Sequence, residues 1–473
     1  MLRQTFNHIG VVIASKVMPL ASLLVYSRFL EPAEYGVVSV FFAYIWILGI
    51  ALTLNLHVGI GRFIYDKQYI LNDLIGTTLL SNGVLFGIGL MIVLVASAPI
   101  ASLLNLSESL LPLLVLVTIG QIVESILVQI FTAQQKSGKL FAIMAIRSLS
   151  SLTTTIVLLS FMSYDKYLAI IYAEAIFSLL LLGYLITILR QYWPWRFSWP
   201  VLRAYCNYCI PLIPYMLSLT LLSQFDRVMI DHFVGKEAAG LYSVGYNLGI
   251  LLVMVSGALL AALNPRFFND MDNKNHDAAC QDGFAVFVVC AFCAFALALF
   301  GPSVAALVIP AKYADGFTLI PLVALGGLVS VVFQVWGRVI GYAKQTYLLS
   351  MVAVAATILK IGLNLLMIPM FGAWGGVVTT LLAYTFMAVS VVILVTRRAD
   401  QPHVHAKREI FWLGALAAVV AVEFYVDMRG YGAWIAKIAI LALVIRLGWQ
   451  SVHGTFFLAM TARSLDVTGA KSP

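Results

Sequence analysis

The sequence predicts an all-α polytopic membrane protein of about 14 transmembrane helices, built as two six-helix bundles related by a parallel repeat, with two further helices appended. Three observations predict it. Of 473 residues, 62% are hydrophobic and only 11% are charged, with a mean hydropathy of +0.97, whereas a water-facing domain carries roughly 25% charged residues. Apolar stretches of about 20 residues, the length a helix needs to cross a hydrocarbon core, follow one another along the chain. An internal repeat then sorts most of those stretches into two sets of six.

The expected spans are 7–29, 36–62, 74–97, 109–132, 140–162, 167–189, 208–231, 240–263, 284–308, 318–341, 347–369, 375–396, 410–426 and 432–449. The connecting loops are short, so no segment is left to fold as a soluble domain. The first stretch is followed by no small-residue cleavage site and reads as a retained helix. The formal charge is +8, from 29 Lys and Arg against 21 Asp and Glu. The bases recur singly or in twos and threes between spans rather than in the run that nucleic acid would need, so no nucleic-acid partner is expected. With the N-terminus inside, 19 of the 29 fall in cytoplasmic segments, five fall outside and five lie within spans. That excess predicts cytoplasmic N- and C-termini. The aromatic segment Tyr192 to Trp195, with Trp199, reads as an interfacial belt on an amphipathic stretch between the halves.

Self-comparison carries the repeat. Residues 28–40 read RFLEPAEYGVVSV and residues 232–244 read HFVGKEAAGLYSV, an offset of 204 that pairs Phe29 with Phe233, Gly36 with Gly240 and Ser39 with Ser243. At the far end of the next helix the same offset pairs Arg62, Phe63 and Asp66 with Arg266, Phe267 and Asp270. Later, AQQK at 133–136 pairs with GYAK at 341–344. Six helices is an even number, so both copies enter the membrane in one orientation, and such transporters place substrate between their halves. The expected domains are therefore 1–203, 204–396 and an appendage at 397–473 that holds a cytoplasmic loop, two helices and a tail. Charges present in both copies, such as Arg62 and Arg266, are expected to serve the scaffold. Gly36 and Gly240 are expected to open the second helix of each half after a tight outer turn.

Charges inside the membrane come next, because each costs about 2.5–3.5 kcal/mol on insertion scales and is a functional candidate. Lys16, Arg147 and Lys360 lie near mid-membrane, and the repeat offsets place Thr220, Ala355 and Leu152 opposite them, so none is duplicated. The expectation is that all three face a common cavity between the halves and form an anion site, with Arg227 a fourth substrate-binding candidate. For Arg227 the alternative is snorkelling to the outer surface. The acids are Glu124, Glu174, Asp226 and Glu423. Glu124 and Arg147 lie at similar depth, so an ion pair between neighbouring helices is the structural alternative for both. Glu423 and Lys437, in the appended helices, are expected to pair or snorkel. Pro19, Pro211 and Pro214 are hinge candidates in the spans that open the two halves, with a static kink as the alternative. Gln121, Gln129 and Gln224 are either sugar-binding amides or helix-packing hydrogen bonds.

Other chemistry is not legible. The five cysteines fall at or inside apolar helices, as Cys206-x-x-Cys209, Cys280 and Cys290-x-x-Cys293, and read as packing residues. His403 and His405 have no third ligand near them. No nucleophile–base pair, glycine-rich phosphate loop or metal-ligand cluster is present, so the chain is not expected to be an enzyme or to carry a cofactor or metal.

Two segments carry a resemblance. The first span ends in R-F-L-x-P-x-x-Y-G (Arg28 to Gly36), and the seventh leads into F-D-R-V-M-I-D-H-F-V-G-K-E-A-A-G-L-Y-S-V (Phe225 to Val244). These resemble the Wzx-type polysaccharide flippases of the multidrug/oligosaccharidyl-lipid/polysaccharide exporter superfamily, over the chain to about residue 396. The resemblance implies a multi-pass protein of the cell inner (cytoplasmic) membrane. Its substrate would be an undecaprenyl-diphosphate-linked oligosaccharide, an O-antigen or exopolysaccharide repeat unit, flipped to the periplasmic leaflet by alternating access. Membrane lipids would be partners, together with polysaccharide polymerase and chain-length or export proteins. A diphosphate is the anion that the mid-membrane cations would hold. The resemblance also implies ion coupling, for which Glu124, Glu174 and Asp226 are the carboxylates to test. Two relatives are alternatives. A drug antiporter should have a net acidic cavity, and lipid II flippases carry an arginine-rich first helix that this chain, with Lys16 alone, does not reproduce. A polymerase or ligase would need a large outer loop, and every outer loop here is short.

Overall fold

The computed structural model describes residues 20–64, 66, 68–134, 137–190, 196–397, 406–425 and 431–452, and among them there are helices and no strand. In chain order these are α1 (Leu20–Phe29), α2 (Pro32–Thr53), α3 (Leu56–Phe63), α4 (Leu71–Val95), α5 (Ser97–Leu104), α6 (Leu110–Ala133), α7 (Ser137–Phe161), α8 (Tyr167–Leu189), α9 (Trp199–Cys209) and α10 (Ile213–Phe233). They continue with α11 (Lys236–Gly249), α12 (Leu251–Asp272), α13 (His276–Val308), α14 (Ala314–Phe317), α15 (Ile320–Tyr342), α16 (Thr346–Phe371), α17 (Ala373–Thr396), α18 (Ala406–Tyr425) and α19 (Tyr431–Val452). Eleven helical segments among the described residues are long and apolar enough to cross a membrane, and they match the second to twelfth expected spans one for one. The first expected span is described only from Leu20, as α1, and the last two fall on α18 and α19.

Three expected spans are interrupted for identifiable reasons. The span at 36–62 is two helices: Leu54 and Asn55 take left-handed φ of 48° and 54°. Thr53 supports the break, its hydroxyl donating to the Gly49 carbonyl at 2.6 Å and accepting from the Asn55 amide at 3.2 Å. The seventh span holds α9, a 3₁₀ turn at Ile210–Leu212 and α10. Pro211 sits in that turn and Pro214 in the first turn of α10, where a missing N–H costs no helical bond. The eighth span pauses at Ile250 between α11 and α12.

The chain divides into two compact units, one of Met1–Ser243 with Asn364–Ala373, the other of Val244–Leu363 with Trp374–Pro473. In the first unit, α3, α4, α6, α8 and α9 share a core around Ile60, Ile75, Leu127, Ile130, Leu181 and Tyr205. Helix α9 contributes Val201, Tyr205 and Cys209, four residues apart and hence on one face, and packs by that face; Tyr192 to Trp195 of the expected aromatic segment lie outside the described residues. The paired glycines of the repeat meet in this unit: a Cβ on Gly36 would lie 2.8 Å from the Lys236 carbonyl carbon, and one on Gly240 would lie 2.8 Å from the Pro32 carbonyl carbon. These glycines are therefore required by the close crossing of α2 and α11, and not by a turn. The turn glycine is Gly235, at φ 121°.

The second unit is built on α13 and α15, which are apolar all round and are its most buried spans. Both appended helices belong to this packing. Trp412 of α18 meets Phe292 and Phe295 edge-on at 6.1 and 6.2 Å, and the Trp336 indole donates to Glu409 at 2.8 Å. Lys437 and Glu423 pair at 2.6 Å between α19 and α18, the pairing expected of them. All five cysteines are free thiols, and Cys209, Cys280 and Cys290 are buried.

Candidate functional site

The intramembrane charges of the first unit gather into two clusters. In the first, α6 and α8 lie close where Gly120 faces Ser178, since a Cβ there would be 2.8 Å from the Ser178 Cα. Glu124 on α6 and Glu174 on α8 are thereby held near each other, and Arg147 of α7 reaches both. One terminal guanidinium nitrogen donates to Glu124 Oε2, and the other lies 3.5 Å from Glu174 Oε2. Ser151, one turn beyond Arg147, donates to Glu174 Oε1 at 2.6 Å. Phe177 completes the group, with its ring centre 5.9 Å from the Arg147 guanidinium carbon. The ion pair between Glu124 and Arg147 that stood as the structural alternative to an anion site is present, and Glu174 is a partner that helix depth alone does not supply.

These three side chains line a narrow cleft of about 30 Å³, room for about one water, whose wall is completed by Phe42 and Trp46 of α2 and Gln121 of α6. Both carboxylates are nearly buried, while the Arg147 side chain is 32% exposed into the cleft. One base between two acids gives the group a formal charge of −1, so its field suits hydrogen-bond donors better than it suits an isolated anion.

The second cluster centres on Asp226 of α10, which is 1% exposed. Its Oδ2 accepts from the Tyr242 hydroxyl at 2.7 Å and its Oδ1 from the Asn364 amide at 2.8 Å. A buried carboxylate in hydrocarbon is tolerable only with such partners. Neither Tyr242 nor Asn364 can be named from sequence, because Asn364 lies 138 residues from Asp226 and neither carries a local signal. Arg227, the next residue, points to another face as adjacent helical positions must. It is buried and donates to Gln224 Oε1, so it turns inward rather than snorkelling. Gln224 thus accepts within its own helix, three residues before Arg227.

Lys360 is 2% exposed and has partners within the protein. Lys16 and Pro19 lie outside the described residues, as do His403 and His405. The repeated arginine of the second half is scaffold by its contacts: Arg266 binds Asp282 at 2.8 Å and Asp270 at 3.6 Å, tying α12 to α13. Among the described residues no group of three or more His, Cys, Asp or Glu is placed to hold a metal ion.

Comparison with solved structures places this arrangement in a known fold. The chain is similar to the lipid II flippase MurJ in an inward closed conformation, with a TM-score of 0.69 at 12% identity over 95% of this chain and 99% of that one. It is also similar to a multidrug resistance MATE transporter of the MOP superfamily in its inward-facing conformation, with a TM-score of 0.59 at 14% identity over 85% and 95%. A third likeness is to a point mutant of the Vibrio cholerae MATE transporter VcmN, with a TM-score of 0.53 at 14% identity over 84% and 97%. No curated protein sequence matches the chain. A family described as polysaccharide biosynthesis protein matches residues 25–320, more than half of its length. With eleven segments among the described residues long and apolar enough to cross a membrane, in a fold shared with flippases and transporters, this multi-pass membrane protein belongs to the polysaccharide biosynthesis protein family.

Proposed function

We propose that this protein flips an undecaprenyl-diphosphate-linked oligosaccharide repeat unit from the cytoplasmic to the periplasmic leaflet of the inner membrane by alternating access, without enzymatic chemistry. The observation that carries the reading is membership of a polysaccharide biosynthesis family by a chain with eleven membrane-capable helical segments among its described residues. A polymerising or ligating enzyme needs an extramembranous site, and translocation is the step in making a surface polysaccharide that needs only membrane helices. In this reading residues 1–203 and 204–396 are the two rocking bundles. Lys16, Lys360 and Arg227 neutralise the diphosphate, whose passage through a low-dielectric interior is otherwise prohibitive. Asp226 is the favoured ion-coupling carboxylate: it is a carboxylate buried among membrane helices, and it accepts from Tyr242 and Asn364. Pro211 and Pro214, where α9 joins α10, serve as a hinge.

The test is reconstitution. Proteoliposomes holding the purified chain and a fluorescent undecaprenyl-diphosphate oligosaccharide should move the lipid between leaflets, and Lys360→Ala should slow that movement while still inserting. Extrusion of cationic dyes without movement of the lipid would assign the chain to drug antiport instead. Movement of lipid II in preference to other lipid-linked glycans would assign it to peptidoglycan precursor export.

A further inference from the structure

We infer that Arg266 and Arg338 are alternative partners of Asp282, so that this one carboxylate ties α13 to α12 in the arrangement seen and to α15 once the two arginines exchange. The inference concerns how helices of the second unit are held, and it does not depend on which lipid the protein carries.

Asp282 of α13 is buried and has a base on either side. From α12, Arg266 reaches it at 2.8 Å and also lies 3.6 Å from Asp270, one turn along its own helix. From α15, Arg338 feels the charge of the same carboxylate without pairing to it. Its guanidinium lies over the Phe267 ring instead, with the central carbon 4.6 Å from the ring centre. Nε donates to the Val335 carbonyl at the long distance of 3.5 Å, and Nη1 and Nη2 are buried with no hydrogen-bond acceptor among the described residues. Water does not supply one, because the crevice that Arg338 shares with Phe267, Cys280 and Trp336 has no room for it. Unmade hydrogen bonds are costliest on a buried charged group, and a ring face offsets only part of that cost. The first half has no such reserve cation. The offset of 208 that pairs Lys136 with Lys344 puts Ile130, a core residue, in the place of Arg338.

The exchange needs little movement. A Cβ on Gly283 would lie 3.5 Å from Arg338 Nη2, so the guanidinium already rests against the residue next to Asp282, whose Cα is about 3.8 Å away along the chain. Rotation of one long side chain covers that distance. Arg266 keeps Asp270 within α12, so the charges on the three helices stay balanced throughout. What changes is the helix that is held. Pro265 stands inside α12 immediately before Arg266 and gives the helix no N–H, so α12 can bend beside the tie. Handing Asp282 to Arg338 frees α12 at that point and fastens α13 to α15. Two arrangements of equal charge that hold different neighbours are what a switching element requires.

The opposing reading is that Arg338 is a fixed anchor for the Phe267 ring and never takes the carboxylate. Thermal unfolding of the purified full-length protein separates the two. If the arginines are interchangeable, Arg266→Met and Arg338→Met should each lower the apparent Tm by no more than about 1 °C, because one base is left for Asp282. The double variant strands a buried carboxylate and should fall by about 3–5 °C, well beyond the sum of the single losses. In the Arg266→Met background, Arg338→Lys should keep most of what Arg338→Met loses, since an ammonium also neutralises Asp282. Should the double variant not fold, adding Asp282→Asn removes the stranded charge and should return the melt to within about 1 °C of the single variants. Additive losses, a fall in Arg266→Met alone as large as in the double variant, failure of lysine to protect, or no recovery with Asp282→Asn would each overturn the exchange.

Discussion

Replacing Gly36 or Gly240 by alanine sets two physical effects of opposite sign against each other. In an open helix position alanine is favoured over glycine by about 0.8–1.0 kcal/mol. At these positions the new Cβ would lie 2.8 Å from a main-chain carbonyl carbon of the facing helix, where ordinary contact begins at 3.4 Å. The backbones of α2 and α11 would have to separate by at least about 0.6 Å, and no rotamer change relieves a clash with main chain. Overpacking of this kind costs typically about 1–3 kcal/mol, and the facing carbonyl oxygen is closer still than its carbon, so after the propensity gain a net destabilisation at the upper end of about 0–2 kcal/mol is expected for either variant. The assay is thermal unfolding of the detergent-solubilised protein, in which the apparent Tm should fall by about 1–2 °C, since unfolding entropy grows with chain length. The double variant supplies the sharper test. Once one Cβ has forced the helices apart the second is accommodated at little extra cost, so the two losses should not add, with a coupling of about 0.5–3 kcal/mol. Gly83→Ala on α4, where nothing lies within 4 Å of the new Cβ, is the control and should be neutral or stabilising. If Gly36→Ala and Gly240→Ala behave like Gly83→Ala, or if their effects simply add, the reciprocal crossing is not what these glycines serve.

Two further outcomes concern the appended helices. Lys437→Met leaves Glu423 without its ion-pair partner and should destabilise the α18–α19 hairpin by about 3–5 kcal/mol, seen as faster proteolysis after residue 396, whereas Lys437→Met with Glu423→Leu should recover most of that loss. Trp336→Phe removes the indole donor to the buried Glu409 carboxylate and should lower stability by about 1.5–3 kcal/mol in the same melting assay, and an unchanged melt would mean that α18 docks on α15 by apolar contact alone.

The relation between chain and structure differs from one feature to the next. The positions of eleven spans are legible because apolar runs of membrane length have no other use in so uncharged a chain. The break at Leu54–Asn55 is not, since two left-handed residues inside an apolar run leave no compositional trace and only the Thr53 bonds account for them. Gly36 and Gly240 stand out through the repeat, but the turn expected of them is a helix crossing, because a glycine that opens a turn and one that admits a neighbouring helix look alike in sequence. The pairing of Glu124 with Arg147 is legible as an alternative from their similar depth along the helices, and that of Glu423 with Lys437 from their place in the two appended helices. Glu174 and Asn364 join their clusters only through the packing of helices that sequence spacing does not order.

By itself the sequence determined that this is a helical membrane protein, for the physical reason that hydrophobic length is a property of the chain taken one segment at a time. The tertiary structure decided what the charges do. Whether a mid-membrane arginine stands as a free cation or is held between two carboxylates depends on which faces of α6, α7 and α8 meet, and that is settled by side-chain packing at positions such as Gly120 and Ser178.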